Sequence, residues 1–435
     1  MRDWKSLSTN FATLCARLST TAAMFVTNGI AARRMSGEEL GLWFLLLAFN
    51  QFTNGLDLGF QFTLGNRLAA LGSRGADGEA ERRETFLTIL FLQTLFFAVD
   101  SLIVLVIVPM MPWARWFKIS DPTLAGQVAW LMPPAVIIMI GTLPVGLIWT
   151  VFYSYQEIKL ASVLGGLGNV VQTVVFVISA YTCKFTTVIL IYFSCNIVVG
   201  ILLTAYVFIR RGWVFSLLPL SRMIAIVRSM ARVSFDAFWH TMTAIIGTIL
   251  GPILSGSMFG LVTAGEFGLI QKLFSFLVGA HLALLAPVAP AVTRESHSGD
   301  WDAVGRRLRV CVFQVWPAFF FILGGIVWCA HPLLIRFWAG HALSRYPLAG
   351  LLLLWACLSG FANTYSVFLN SLGLVKVQAA LSLVMMLPSI YLPVLLSRWL
   401  GVPGIALGFV LCLLPAATLW PFYTRRALRL HLIRV

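Results

Sequence analysis

Charge is scarce in this sequence. Of 435 residues, 16 are acidic and 31 basic, so charged side chains make up 11% of the chain and hydrophobic ones 59%. Soluble domains carry about 25% charged and about 45–50% apolar residues. So little polar surface cannot cover a water-soluble globule of this length, which leaves the bilayer as the solvent. Paired cysteines are also lacking. Cys15, Cys183, Cys195, Cys311, Cys329, Cys357 and Cys412 are scattered and mostly sit inside apolar runs. Without a CxxC pair they suggest neither a zinc site nor a disulfide framework. The six histidines form no HExxH pair, and no glycine-rich phosphate loop is present. No metal, no cofactor and no ATP hydrolysis by this chain are therefore expected.

What the sequence has in abundance is long apolar runs. About 20 apolar residues span the roughly 30 Å hydrocarbon core as a helix. Twelve such runs lie near 7–31, 40–68, 86–110, 126–152, 160–181, 186–209, 235–260, 267–292, 309–331, 347–371, 377–397 and 401–423. The expected fold is an all-α polytopic membrane protein. Arg2 and Lys5 ahead of the first run resemble a signal peptide, but Asn10 and Arg17 interrupt the apolar stretch, so it reads as a retained first helix.

An even number of spans puts both termini on one side. With that side cytoplasmic, 21 of the 31 Lys and Arg residues fall in inner segments, 8 in outer segments, and Arg17 and Lys272 within spans. This asymmetry follows the positive-inside rule and accounts for the net charge of +15 without nucleic acid. Both termini are therefore expected on the cytoplasmic side of the membrane.

The longest inner link, between spans six and seven, reads as an amphipathic helix from Ser221 to Val233. Ser221, Arg222, Arg228, Ser229 and Arg232 fall on one side, and Met223, Ile226, Val227 and Met230 on the other. Such a helix would lie along the inner leaflet, as a strap between two halves or as part of a gate.

The halves themselves are visible as a repeat. Glu39, Gly41 and Leu42 match Glu266, Gly268 and Leu269 at an offset of 227, and Ser154 and Lys159 match Ser371 and Lys376 at an offset of 217. Both pairs link equivalent helices of two six-helix halves. Six is even, so the halves share orientation and are related by an axis along the membrane normal, with a substrate cavity between them. The domain reading is residues 1–212 as the first lobe, 213–234 as linker and 235–435 as the second lobe.

Several stretches together resemble a known family. They are Ala32-Arg33-Arg34-Met35-Ser36-Gly37-Glu38-Glu39-Leu40-Gly41-Leu42-Trp43, Leu56-Asp57-Leu58-Gly59-Phe60, and Gly65-Asn66-Arg67-Leu68-Ala69. Pro287 and Pro290 with Arg294 and Gly299-Asp300-Trp301 continue the series, which ends on Gly401-Val402-Pro403-Gly404-Ile405-Ala406. In this order they resemble the O-antigen and exopolysaccharide flippases of the multidrug/oligosaccharidyl-lipid/polysaccharide (MOP) superfamily. Individually the motifs are degenerate; the combination covers the whole chain. The resemblance implies two six-helix lobes around a central cavity and alternating access. It also implies an undecaprenyl-diphosphate-linked oligosaccharide as cargo for O-antigen, capsule or exopolysaccharide, and polysaccharide polymerase and chain-length proteins as partners beside the membrane lipids.

Ionisable groups inside spans are costly and normally face a cavity or a partner. Arg17 lies about ten residues into the first span, where its planar fork suits a diphosphate or pairs with Asp57. Asp57, between Gly55 and Gly59, could meet substrate, carry a coupling proton or bond a neighbouring helix. Lys272 either lines the cavity or snorkels to the surface. Asp100 has too short a side chain to snorkel. Asp236 and His240, four apart on one helix face, are ion-coupling candidates with Asp57 and Asp100, or an interfacial cap. Trp149, Tyr153, Tyr155 and Trp338 read as interface-belt residues, with sugar stacking open to some. Two rival functions share these features in part. An ion-coupled multidrug or small-solute exporter of the same superfamily would want acids in its cavity. A membrane-bound polymerase or glycosyltransferase would want catalytic residues on a large outer loop, and the longest outer links, near 111–125 and 332–346, are short.

Overall fold

A computed structural model describes residues 19–72, 75–216, 218–285, 288–340, 343–372 and 374–432. The described residues form twelve helical runs in the order the hydropathy predicts. α1 covers 19–34. The second run is α2 (Gly37–Gly55) and α3 (Phe60–Leu71), followed by α4 (Gly75–Ile107) and a four-residue turn α5 (Trp113–Trp116). Then come α6 (Pro122–Gly146) with α7 (Ile148–Ser154), α8 (Ile158–Thr182), α9 (Phe185–Arg211) and α10 (Leu220–Phe259). α11 (Leu261–Leu285), α12 (Val288–His297), α13 (Trp301–Val310), α14 (Gly324–Ala339), α15 (Tyr346–Ser371), α16 (Val375–Leu400) and α17 (Val402–Leu432) complete the chain. Nine helices among the described residues are long and apolar enough to cross a membrane.

Where the runs bend, the residues give the reason. Pro317 has no N–H to donate, and on both sides of it the ladder between α13 and α14 widens into π turns, Cys311–Val315 and Ala318–Leu323. Gly401, with φ of +66°, ends α16, and the chain turns straight into α17. Gly404 and Gly408 then let α17 run against the backbone of Leu396 and Pro393.

The chain divides into two compact units, residues 1–245 and 246–435, with the division inside α10. In the first unit α6 packs against α2, α4 and α9, and α8 against α9. Trp43 is fully buried at its centre. Its ring meets Tyr192 and Phe176 with centroids 4.8 and 5.1 Å away, and its Nε1 donates to Asn28 Oδ1 at 2.8 Å. One residue therefore ties together α1, α2, α8 and α9. The 221–233 segment is helical as predicted and runs without a break into the rest of α10. Its apolar side belongs to the first unit, with Ile226 and Met230 buried in a cluster with Leu68 and Phe86.

The second unit repeats this plan. α15 packs against α11, α14 and α17, and α16 against α17. An acid near the start of α2 and one near the start of α11 each reach the start of the equivalent helix, α6 or α15. Glu38, beside the Ser36–Glu39 capping box, accepts from the Ser120 and Asp121 N–H groups at the start of α6. Glu266 accepts from Arg345, the N-cap of α15, at 3.0 Å. A second correspondence is an ion pair between equivalent helices with its signs exchanged. Arg67 of α3 meets Glu81 of α4 at 3.4 Å, and Glu295 of α12 meets Arg307 of α13 at 2.6 Å.

If the pair holds α12 to α13 as its counterpart holds α3 to α4, the sign can be exchanged again. Glu295→Arg should lower the melting temperature of the purified protein by the equivalent of about 0.2–1 kcal/mol, the range for partly exposed pairs. Adding Arg307→Glu should restore it. A double variant no more stable than the single one would show that the pair holds nothing.

Candidate functional site

Asp57 occupies the break in the second helical run. α2 stops at Gly55, and Leu58 (φ +54°) and Gly59 (φ +74°) turn the chain through left-handed backbone before α3 begins. A side chain at Gly59 would collide with the Ser234 carbonyl of α10, so glycine is required by conformation and by space. The turn leaves the first amides of α3 without helical acceptors. Asp57 supplies them: one carboxylate oxygen accepts from Gly59 N–H and the other from Gln61 N–H, each at 2.9 Å. Its own carbonyl accepts from Gln93 of α4 at 3.2 Å. Thr63 and Ser234 hydroxyls bond at 3.0 Å beside it, fixing α10 against the turn.

The other candidates lie on different helices or outside the described residues. Arg17 lies outside the described residues, and so do the side chains of Asp236 and His240, whose backbone is part of α10. Asp100 is half-buried on α4 among the exposed apolar side chains of Phe96, Val99, Leu102 and Ile103. Lys272 is half-buried on α11, next to the buried Gln271. Asp57 and Asp100 belong to the first unit and Lys272 to the second. Among the described residues no three His, Cys, Asp or Glu side chains converge as a metal site would require.

The aromatic residues near 150 separate into two environments. Trp149 and Tyr153 line a cavity of about 650 Å³ inside the first unit, with Thr20, Ser162, Asn169 and Asn196. The glycines of α8 make room for it: a methyl at Gly166 would meet Ser19 Oγ at 3.3 Å, and one at Gly165 would meet the Trp149 ring at 3.5 Å. Asn169 Nδ2 donates to Thr20 Oγ1 at 2.6 Å, which joins α8 to α1 across the cavity. Amides, hydroxyls and two large rings line this space, and among the described residues no charged side chain does. The sequence signal that could have drawn attention to it is the Gly165-Gly166-Leu167-Gly168-Asn169 run, a small-residue face on an apolar span.

Tyr155 lies elsewhere, in a charged cluster just past the end of α7. Arg211 and Arg82 sit over its ring, 3.4 and 4.2 Å from the centroid. Its hydroxyl donates to the Glu79 carboxylate at 2.5–2.6 Å, and Trp213 Nε1 donates to the same carboxylate at 3.1 Å. Burial and the hydrogen bond to Glu79 push the phenol well above its ordinary pKa, so Tyr155 stays a neutral donor at any working pH. Arg211 also pairs with Glu157 at 3.1 Å. The cluster clamps the ends of α4, α7 and α9 together, which is a structural task rather than membrane-interface anchoring.

This order of helices, duplicated in two units, is a known transporter architecture. The chain is similar to the inward-facing form of a multidrug resistance MATE family transporter of the MOP superfamily, with a TM-score of 0.75 at 14% identity, covering 96% of this chain and 98% of that one. An outward-facing form of such a transporter gives 0.64 at 14% identity, with 97% and 96% covered. A Vibrio cholerae MATE transporter gives 0.63 at 14% identity, with 99% and 98% covered. The fold is therefore the two-lobed MATE fold. No protein-family model matches the chain, and no curated protein matches it.

Two substitutions test the roles read from the geometry. Asp57→Ala removes the cap of α3 and should destabilise the purified protein by about 0.5–2 kcal/mol in thermal unfolding; Asp57→Asn, which keeps one oxygen acceptor, should lose less. Tyr155→Phe keeps the ring between the two arginines but deletes the donor to Glu79, and should cost about 1 kcal/mol. Tyr155→Leu, which also removes the ring, should cost more. Equal losses for the two Tyr155 variants would contradict the ring's part in the clamp.

Proposed function

We propose that this protein is a transporter that moves a lipid-linked oligosaccharide, with an undecaprenyl-diphosphate carrier, across the bacterial inner membrane. It works by alternating access between residues 1–212 and 235–435, joined by the 213–234 linker, with both termini cytoplasmic. The observation that carries this reading is the chemistry of the first-unit cavity. Sugar rings present apolar C–H faces and a rim of hydroxyls. Trp149 and Tyr153 offer flat apolar surface to the first, and Asn169, Asn196, Thr20 and Ser162 offer donors and acceptors to the second. A cationic drug would instead gain most from a carboxylate, and none lines this cavity among the described residues.

Inward- and outward-facing structures of a MATE transporter with this fold support the alternating-access part of the reading. The charged carrier needs a cation, and Arg17, three residues before Thr20 in the sequence, is the basic residue that we assign to its diphosphate. A polymerase and chain-length proteins would then act on the delivered glycan. The second reading is an ion-coupled multidrug exporter, favoured by the multidrug resistance MATE transporter among the similar structures.

The two readings part in one experiment: a deletion strain complemented with variants, scored for surface glycan, drug sensitivity and protein level. Trp149→Ala and Asn169→Ala should each lower glycan export several-fold to about tenfold, the loss of one contact of roughly 0.5–1.5 kcal/mol, at unchanged protein level. Arg17→Ala should abolish export, and Arg17→Lys should retain part of it. Rescue of Arg17→Ala by Asp57→Ala would leave Arg17 as half of a structural pair and remove it from the substrate site. Normal glycan with lost drug resistance would establish the exporter instead. A reporter fused after Val435 that is active only in the periplasm would overturn the topology.

A further inference from the structure

In the first unit the surface formed by α3 and the start of α4 is covered by the chain itself. Ile226 and Met230 of α10 bury against Leu68 and Phe86. Arg67 donates to Ser229, and Arg222 pairs with Glu84 at 2.6 Å. The covering element is amphiphilic: apolar groups lie along the helices, and polar groups meet the ion pair.

The corresponding helices of the second unit, α12 and α13, hold the sign-exchanged pair Glu295–Arg307. Beside that pair a cleft of about 700 Å³ opens against the end of α11. Leu284, Val288, Val310 and Val315 form its apolar bed, and Arg306 and Arg307 its charged end. Arg307 is neutralised by Glu295 at 2.6 Å. Arg306 is exposed and has no acidic partner among the described residues. The cleft therefore carries one uncompensated positive charge at the head of an apolar trough.

Its place along the helix says what chemistry fits. The run 301–339 is among the nine helices apolar enough to cross a membrane. It carries Arg306, Arg307 and Arg309 and then no basic residue until Arg336. The charged end of the cleft thus coincides with the change from polar to apolar composition, where lipid headgroups meet acyl chains. A small soluble anion would fill the charged end and leave the apolar bed empty.

We propose that this cleft holds an anionic phospholipid, with its phosphate on Arg306 and an acyl chain along Leu284, Val310 and Val315. The lipid does for α12 and α13 what α10 does for α3 and α4. The assignment stands whatever cargo the transporter carries.

Native mass spectrometry of the full-length protein in detergent, titrated with phosphatidylglycerol or phosphatidylcholine, tests it. Phosphatidylglycerol should bind in preference. Arg306→Ala should weaken its binding about fivefold, from roughly 1 kcal/mol per basic residue at a membrane surface, and Arg306→Lys should restore most of it. Val310→Trp, which fills the apolar bed without altering charge, should weaken binding as well. Arg306 and Val310 are both exposed, so neither change removes a core contact. Arg309→Ala, on a different cleft of α13, should leave binding unchanged. Equal binding of phosphatidylcholine, or an Arg309→Ala loss as large as that of Arg306→Ala, would overturn the site. Displacement of the lipid by millimolar inorganic phosphate would make it a plain anion site and overturn the lipid assignment.

Discussion

Hydrocarbon offers no hydrogen bond to a peptide group, and the rest of this structure depends on that. Every amide within the bilayer must be satisfied by the chain, so uninterrupted helices come at no extra cost and every interruption needs a named compensation. Asp57 is the plainest case. The break between α2 and α3 orphans two amides, and one carboxylate answers both. The same accounting explains the widened turns around Pro317 and the tight reversal at Gly401. An intramembrane acid is usually read as a functional group first. Here the carboxylate has a prior engagement with the backbone, which uses one acceptor site on each of its oxygens.

The large features were legible because they are periodic or local. Twelve apolar runs gave twelve helical runs, since length and hydropathy are properties of contiguous sequence. The Glu39/Glu266 repeat pointed to real duplication: Glu38, next to Glu39, and Glu266 itself tie equivalent helices to equivalent partners. The Tyr155 clamp was not legible. Glu79 with Arg82, Tyr155, and Arg211 with Trp213 come from three separate stretches, and no spacing rule connects them. The first-unit cavity escaped for another reason. A search for intramembrane charge favours residues such as Asp100 and Lys272 and passes over Asn169 and Asn196, whose neutral side chains draw no notice in an apolar run. Arg17, Asp236 and His240 stay as the sequence left them, because their side chains lie outside the described residues.

The duplication has been kept in packing and let go in chemistry. The helix partnerships recur, and so does the placement of an ion pair between the second and third helical runs of each unit. The surfaces those partnerships create differ. The first unit carries a cavity that its described residues line with rings, amides and hydroxyls, and covers its α3–α4 surface with its own chain. The second leaves an open cleft with a basic end. A conserved frame with diverged linings is how one architecture takes on different ligands.

The exchanged signs of the two ion pairs also bear on assembly. Two halves with the same helix plan offer equivalent helices to equivalent partners, so pairing across the halves is the competitor that specificity must disfavour. Had both pairs kept one polarity, α3 could accept α13, and α12 could accept α4. With the polarity reversed, the first mismatch sets Arg67 against Arg307 and the second sets Glu295 against Glu81. Each wrong union would set two like charges side by side, at a cost of the same small order as the partly exposed native pairs contribute. A contact that adds little to the finished molecule thereby acts as an address label, sorting two look-alike helix pairs while the chain is still being inserted.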